Sequence, residues 1–242
     1  MRRGNAVVRI GVIHPIESFW LLFGPNQQTG QKRQELDQRF RDVTEWLLFH
    51  QLDFDYIAES LLPQQWNDGK VGRMEYDAVV VPGCLTLRRT TLDILKKMRN
   101  GGKKIIFMGK APACMDACAC EDIRIFAQNC IQIEFAKSKL LKELEEFRLL
   151  DIRYDGDKHL KKPNHKKNWN GERAEKYLYQ MRREGERRWL FVANGTKEES
   201  PDLALPDDVR IELDGAWNVT ELDTMEGTVK RKQASVEHNK TV

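Results

Sequence analysis

The sequence predicts an α/β fold, an open parallel sheet flanked by helices, followed by a small all-β region. Three observations carry this expectation. Short, β-branched apolar runs alternate with longer stretches of helical spacing over the first 150 residues, and each apolar run closes on a turn residue. Beyond residue 175 helical spacing disappears and short strands succeed one another around Gly-containing turns.

The elements run in this order. Ala6–His14 (AVVRIGVIH) is a near-continuous apolar run ending at Pro15, as a buried parallel strand does. Residues 16–31 read as a loop, broken by Gly24-Pro25-Asn26 and Gly30. Gln31–Gln51 places Leu36, Phe40, Val43, Trp46, Leu47 and His50 on one helical face opposite a charged one. Phe54–Ile57 and Asp77–Pro82 are the second and third strands. Thr90–Asn100 is a helix with Leu92, Leu95 and Met98 inward, stopped by Gly101-Gly102. Lys103–Met108 is the fourth strand. Ile123–Phe126 and Ile131–Phe135 supply edge strands or a short helix, and 137–150 a charged amphipathic helix.

The predicted organisation is therefore an α/β domain over 1–150, a basic polar linker over 151–175 and a β-rich region over 176–242. In the last, Tyr177–Arg183 and Glu186–Asn194 flank Glu184-Gly185 as a hairpin. Val209–Leu213, Trp217–Leu222 and Thr228–Ala234 add strands, too few for a complete sandwich of about seven. The region is expected to be an incomplete β-sandwich, and the chain a fragment.

Composition narrows the classes. With 242 residues the chain has no room for a (β/α)₈ barrel, which takes about 250 on its own. No apolar run approaches the ~20 residues of a membrane span, and no signal peptide is read after the basic start. The five cysteines (Cys84, Cys114, Cys118, Cys120, Cys130) are an odd set, so reduced thiols and a cytoplasmic location are expected. A net charge of +3 is too small to argue for nucleic acid.

Several segments together resemble a class I glutamine amidotransferase-like domain, in the form embedded in large glycoside hydrolases of the α-L-rhamnosidase and β-galactosidase types. They are His14-Pro15-Ile16-Glu17-Ser18 with Trp20, Phe54-Asp55-Tyr56-Ile57 with Glu59, Tyr76–Pro82 and Gly101–Gly109. Arg188–Asn194 and Leu222–Thr228 resemble the β region that comes after this domain in the rhamnosidase-like group. The resemblance implies a flavodoxin-like sheet, a parent enzyme acting in carbohydrate degradation, and contacts with other domains of the same polypeptide or a second copy. It also implies a nucleophilic cysteine on the turn after a strand, where this chain has Met108-Gly109-Lys110. A thioether has no proton to lose, so the chain reads as a non-catalytic accessory region without a cofactor.

Other chemistry is weighed against packing. Cys84 follows Pro82-Gly83 at a strand end, where open α/β sheets hold ligands, and with His14 it defines the alternative of a free-standing hydrolase or small-ligand binder. Glu17 joins these as a catalytic candidate. Asp53, Asp55 and Glu59 lie with it near the predicted carboxyl edge, and Trp20, Asp55 and Glu59 are the candidates for carbohydrate binding. Cys114, Cys118 and Cys120 form the candidate metal cluster, although the second spacing is tight for zinc. Residues 158–188 interleave basic and aromatic side chains, a nucleic-acid signal diluted by Glu172, Glu175, Glu184 and Glu186. Phe19–Phe23, five apolar residues in a predicted loop, mark a contact surface or a loop that caps its own sheet.

Overall fold

The computed structural model describes residues 3–155, 171–196 and 208–242. The chain forms two units, Met1–Phe147 with Tyr179–Val192, and Arg148–Leu178 with Ala193–Val242.

The first unit is organised by five strands: β1 (Ile10–Ile13), β2 (Phe54–Ile57), β3 (Ala78–Val81), β4 (Lys104–Met108) and β5 (Ile131–Ile133). They lie in the order β2-β1-β3-β4-β5, and every adjacent pair is parallel. β1 and β3 are buried along their whole length, which explains why they read as unbroken apolar runs. The helices of six residues or more are α1 (Ile16–Leu21), α2 (Asn26–Phe49), α3 (Arg89–Asn100), α4 (Asp122–Gln128) and α5 (Lys137–Leu144). On one face Val43 and Leu47 of α2 and Leu140 and Leu144 of α5 cover Ile10, Val12, Val80 and Ile106. On the other, Leu92, Leu95 and Met98 of α3 and Ile123 and Phe126 of α4 cover Ile13, Val79, Ile105 and Phe107.

The structure corrects several boundaries. Residues 16–31 are not a loop: α1 starts after Pro15, α2 starts after Pro25, and Gly24-Pro25 is the break between them. Proline suits a helix start, where its missing N–H costs nothing. The first ten residues of α2 are polar on every side, so no apolar period announces them, but helix propagation adds a bond per residue once a turn exists. The run Ala6–His14 is two strands, because Asn5–Ala6 pairs antiparallel with Arg182–Arg183 and only Ile10–Ile13 enters the parallel sheet. Ile123–Phe126 is helical and Ile131–Ile133 is an edge strand.

Tyr177–Glu184 and Arg187–Asn194 form the expected hairpin, yet Tyr179–Val192 groups with the first unit rather than with the β-rich region. The N-terminal arm holds it there. Val7 N–H donates to the Met181 carbonyl at 3.0 Å, and the Arg182 guanidinium donates to the Arg3 and Gly4 carbonyls at 2.6 Å each.

In the second unit the predicted linker begins too early. Leu150–Tyr154 is a strand paired antiparallel with Val209–Asp214, which in turn pairs with Lys240–Thr241. The Asp151 carboxyl is shared by Arg173, at 2.8 and 3.1 Å, and Arg153, at 2.7 and 3.0 Å. Burial alone would raise its pKa, but the two guanidiniums hold it below the ordinary range. Thr220–Leu222 and Val229–Arg231 form a short, exposed hairpin, shorter at both ends than the sequence suggested. The linker's lysine-rich centre and most of the basic stretch ahead of the hairpin lie outside the described residues.

Gly4 has φ +62°, and an added Cβ would sit 2.1 Å from the Arg183 carbonyl oxygen. Gly4→Ala is expected to cost on the order of 2 kcal/mol locally and release the arm from the hairpin. Amide exchange checks this: Val7 should lose protection while Val80 and Ile106, in the sheet, keep theirs.

Candidate functional site

In an open parallel sheet, ligands sit at the carboxyl ends of the strands, at the point where strand order reverses. Here that point lies between β1 and β3, where His14, Glu17, Ser18, Glu59, Cys84 and Arg88 emerge from the sheet and its loops.

The loop after β3 is tied down from both sides. The Ser18 hydroxyl, fully buried on α1, accepts hydrogen bonds from the backbone N–H groups of Leu85 (2.9 Å) and Thr86 (3.3 Å). The Arg88 guanidinium donates to Glu17 of α1, and the Arg88 backbone N–H donates to the Glu59 carboxylate at 2.8 Å. Arg88 directly precedes α3, so Glu59 occupies the positive end of that helix, where an anionic ligand would bind. The buried Thr91 hydroxyl lies beside Glu59 without closing a well-formed hydrogen bond. Burial raises the Glu59 pKa to about 7, Glu17 adds to the rise, and Arg88 opposes it.

A carboxyl raised by burial with a second carboxyl nearby is a place to look for a general acid. Glu59, however, is only 1% exposed and cannot touch a substrate. Its work in this structure is to hold Arg88 and the start of α3.

Cys84 is buried in the apolar cluster on the α3 face, and burial, reinforced by the Glu59 charge, pushes its thiol well above the ordinary cysteine range. A nucleophilic thiol needs the opposite shift. His14 belongs to the other face, its ring edge-on to Phe40 (5.2 Å) and Tyr56 (5.7 Å), with its pKa lowered by burial. The fold thus places Cys84 and His14 in different layers.

Asp53 and Asp55 are not at the carboxyl edge. Asp53 precedes β2 and Asp55 lies inside it, opposite Gly11, accepting a hydrogen bond from Tyr76 Oη at 3.0 Å. Burial and the Asp55 charge raise Asp53 to about 7. Trp20 stands exposed on α1, so Asp55, Glu59 and Trp20 do not converge.

The cysteine cluster is a tight hairpin, Cys114–Met115 against Cys118–Ala119, turned by Asp116 and Ala117 at φ +49° and +67°. Cys114 faces Ala119 across the hairpin and Cys118 faces Met115, so the pleat sends these two thiols to opposite sides. Among the described residues no group of three or more His, Cys, Asp or Glu is arranged to hold a metal ion, and no helix is long and apolar enough to cross a membrane.

At the turn after β4, Gly109 has φ +71° and its N–H donates to the Ile133 carbonyl at 2.8 Å. A nucleophile elbow strains a side-chain-bearing residue into such a turn; glycine adopts it without strain and brings no reactive group. The carboxyl edge instead carries exposed apolar side chains: Trp20 (59%), Leu21 and Phe23 (85%) on and after α1, with Leu61 and Leu85 on the loops after β2 and β3. Two concavities of about 500 Å³ among the described residues of this unit are not lined by His14, Glu17, Glu59, Cys84 or Arg88.

Ser18, quoted above only as the end of a resembling segment, and Arg88 and Thr91, in no motif at all, take part in this arrangement. The signal available was Glu59 itself: a carboxylate leaving a buried strand demands a cation or N–H donor nearby.

No protein-family model matches the chain, and no curated protein matches it. Among solved structures, the apo exo-carrageenase GH42 from Bacteroides ovatus is similar at 11% identity and a TM-score of 0.45, over 88% of this chain and 25% of that one. The chain thus spans about a quarter of the length of that structure.

Two outcomes are expected. Folded Glu59 keeps its proton up to about pH 7 whereas the unfolded chain releases it near 4.5, so between these values stability falls as pH rises. Glu59→Gln should flatten that fall and remove a cost of roughly 3 kcal/mol at pH 8, read by urea denaturation at pH 5 and 8. A thiol-directed alkylating probe at neutral pH should label exposed Cys118 and leave Cys84 unmodified until the chain unfolds.

Proposed function

We propose that this chain is a non-catalytic accessory region of a glycoside hydrolase acting in carbohydrate degradation, built on a flavodoxin-like, amidotransferase-like domain. In this reading its carboxyl edge contacts another domain of the same polypeptide or a second copy of the chain. The enzyme context rests on the sequence resemblance, including the missing thiol at Met108-Gly109-Lys110. The strand order β2-β1-β3-β4-β5 supports the flavodoxin-like part, and five free cysteines fit a cytoplasmic setting.

One observation carries the role. The edge where such sheets bind ligands is filled from within by Ser18, Arg88 and Glu59, and its outside presents Trp20, Leu21, Phe23, Leu61 and Leu85. Apolar area left in water costs about 25 cal/mol per Å², and large exposed patches mark protein contacts. A plugged crevice under an apolar surface suits docking rather than turnover.

Sedimentation velocity tests the reading. The chain should associate with rising concentration, and Trp20→Ser with Phe23→Ser should weaken association at least about tenfold without lowering the melting temperature. A monomer at all concentrations, destabilised by the same substitutions, would show that α1 caps its own sheet and would defeat the proposal. Turnover of a nitrophenyl glycoside lost on changing Glu17 would defeat the non-catalytic part.

A further inference from the structure

The N-terminal arm pairs with the hairpin along one side only. Asn5 faces Arg183 and Ala6 faces Arg182 in antiparallel register, and Val7 N–H bonds the Met181 carbonyl. In such a ladder the backbone groups of alternate residues point to opposite sides. Asn5 and Val7 are spent on the hairpin, so the N–H and C=O groups of Ala6 and Val8 point away from it. In the three-stranded sheet made by the arm and the hairpin, the arm is an edge strand.

Asn5–Arg9 line a groove of about 530 Å³ together with Arg73–Glu75, Arg183 and Gly185. None of the backbone hydrogen bonds of the described residues links the arm to Arg73–Glu75. Val8 and, partly buried, Ala6 and Met74 give the groove an apolar floor continuous with the core. Its charged lining is Arg9, Arg73 and Arg183 against Glu75 alone, and Glu75 is already paired with Lys103 at 3.0 Å. Arg9 is engaged with Asp77 at 2.6 Å and Arg183 donates to the Gly185 carbonyl at 2.9 Å, while Arg73 is exposed and forms no ion pair among the described residues.

We propose that this groove receives an extended acidic peptide segment, which adds a strand along Ala6–Val8 and sets its carboxylates against Arg73 and Arg183. The features match strand addition: unpaired main-chain groups supply register, an apolar floor takes alternate side chains, and the basic rim selects the charge. The site is separate from the apolar carboxyl edge and stands or falls independently of the role proposed for that edge.

The test uses the full chain, isotopically labelled, with two synthetic probes: an alternating Thr-Glu peptide and the matching Thr-Lys peptide. The Thr-Glu peptide should bind and slow amide exchange of Ala6 and Val8 about tenfold, and the Thr-Lys peptide should do neither. Arg73→Glu, a surface change, should reverse the preference between the probes. Ala6→Pro removes a donor that the hairpin does not use and should abolish binding; retention of Val7 protection shows that the arm is still docked. Equal binding of both peptides, protection confined to residues outside the groove, or protection of Ala6 and Val8 by self-association without peptide would each overturn the proposal.

Discussion

The central strands are apolar on both faces, and most of the first unit is a consequence of that. A strand such as Ala78–Val81, buried at every position, cannot lie at a water-facing surface and must be covered on both sides. The chain meets this demand by sending α2 and α5 to one face and α3 and α4 to the other, which is what right-handed parallel crossovers produce when strand order reverses about β1. Polar groups are few in both layers, Thr91 and the Tyr76–Asp55 pair among them, and several collect where the strands end.

At the carboxyl edge the polar groups satisfy one another. Glu59 takes the N–H at the start of α3, Arg88 turns back to Glu17, and Ser18 takes two N–H groups of the intervening loop. Each contact answers a need created by burial, since an unpaired buried carboxylate or N–H is more costly than the bond that relieves it is stabilising. At the start of α3 the place an anion would take is filled by the Glu59 carboxyl. With Cys84 sealed in the α3-side core and His14 stacked among Phe40 and Tyr56, the edge does not bring these two groups together, and its outside carries exposed apolar side chains.

Much of the α/β unit was legible because its signals are local. β-branched runs ending in Pro or Gly gave β3 and β4 within a residue or two and the position of β1, whose run is split between two sheets, and a short apolar run gave β2. The period of Leu92, Leu95 and Met98 gave α3. The start of α2 was not legible, because a wholly polar first turn looks like a loop until the packing of Leu36, Val43 and Leu47 further along fixes the helix. The site was legible only as a location. That Glu59 and Cys84 lie at strand ends could be read, but which layer each side chain enters depends on strand parity and crossover side, which no single segment encodes. Asp55 shows this: it lies inside β2, two positions short of the strand's carboxyl end at Ile57, and meets the Tyr76 hydroxyl there.

The two units also answer differently to protons. In the first, Glu59 and Asp53 are raised to about 7, so folding retains protons that the unfolded chain releases, and this part of its stability declines from about pH 4.5 upward. Asp77, held low by Arg9 and Lys103 despite its burial, acts in the opposite sense but at more acid pH. In the second unit the dominant buried charge is Asp151, depressed by two arginines, whose stabilisation is present above the ordinary aspartate range and is lost as pH falls. Apolar layers that tolerate a protonated carboxyl and a thin sheet pinned by an ion triad are different ways to stabilise small units. The first resists mild acid, and the second needs its carboxylate charged. Mild acid should therefore firm the parallel sheet by relieving it of two unfavourable buried charges, and the β-rich unit should loosen only as pH falls below the ordinary aspartate range.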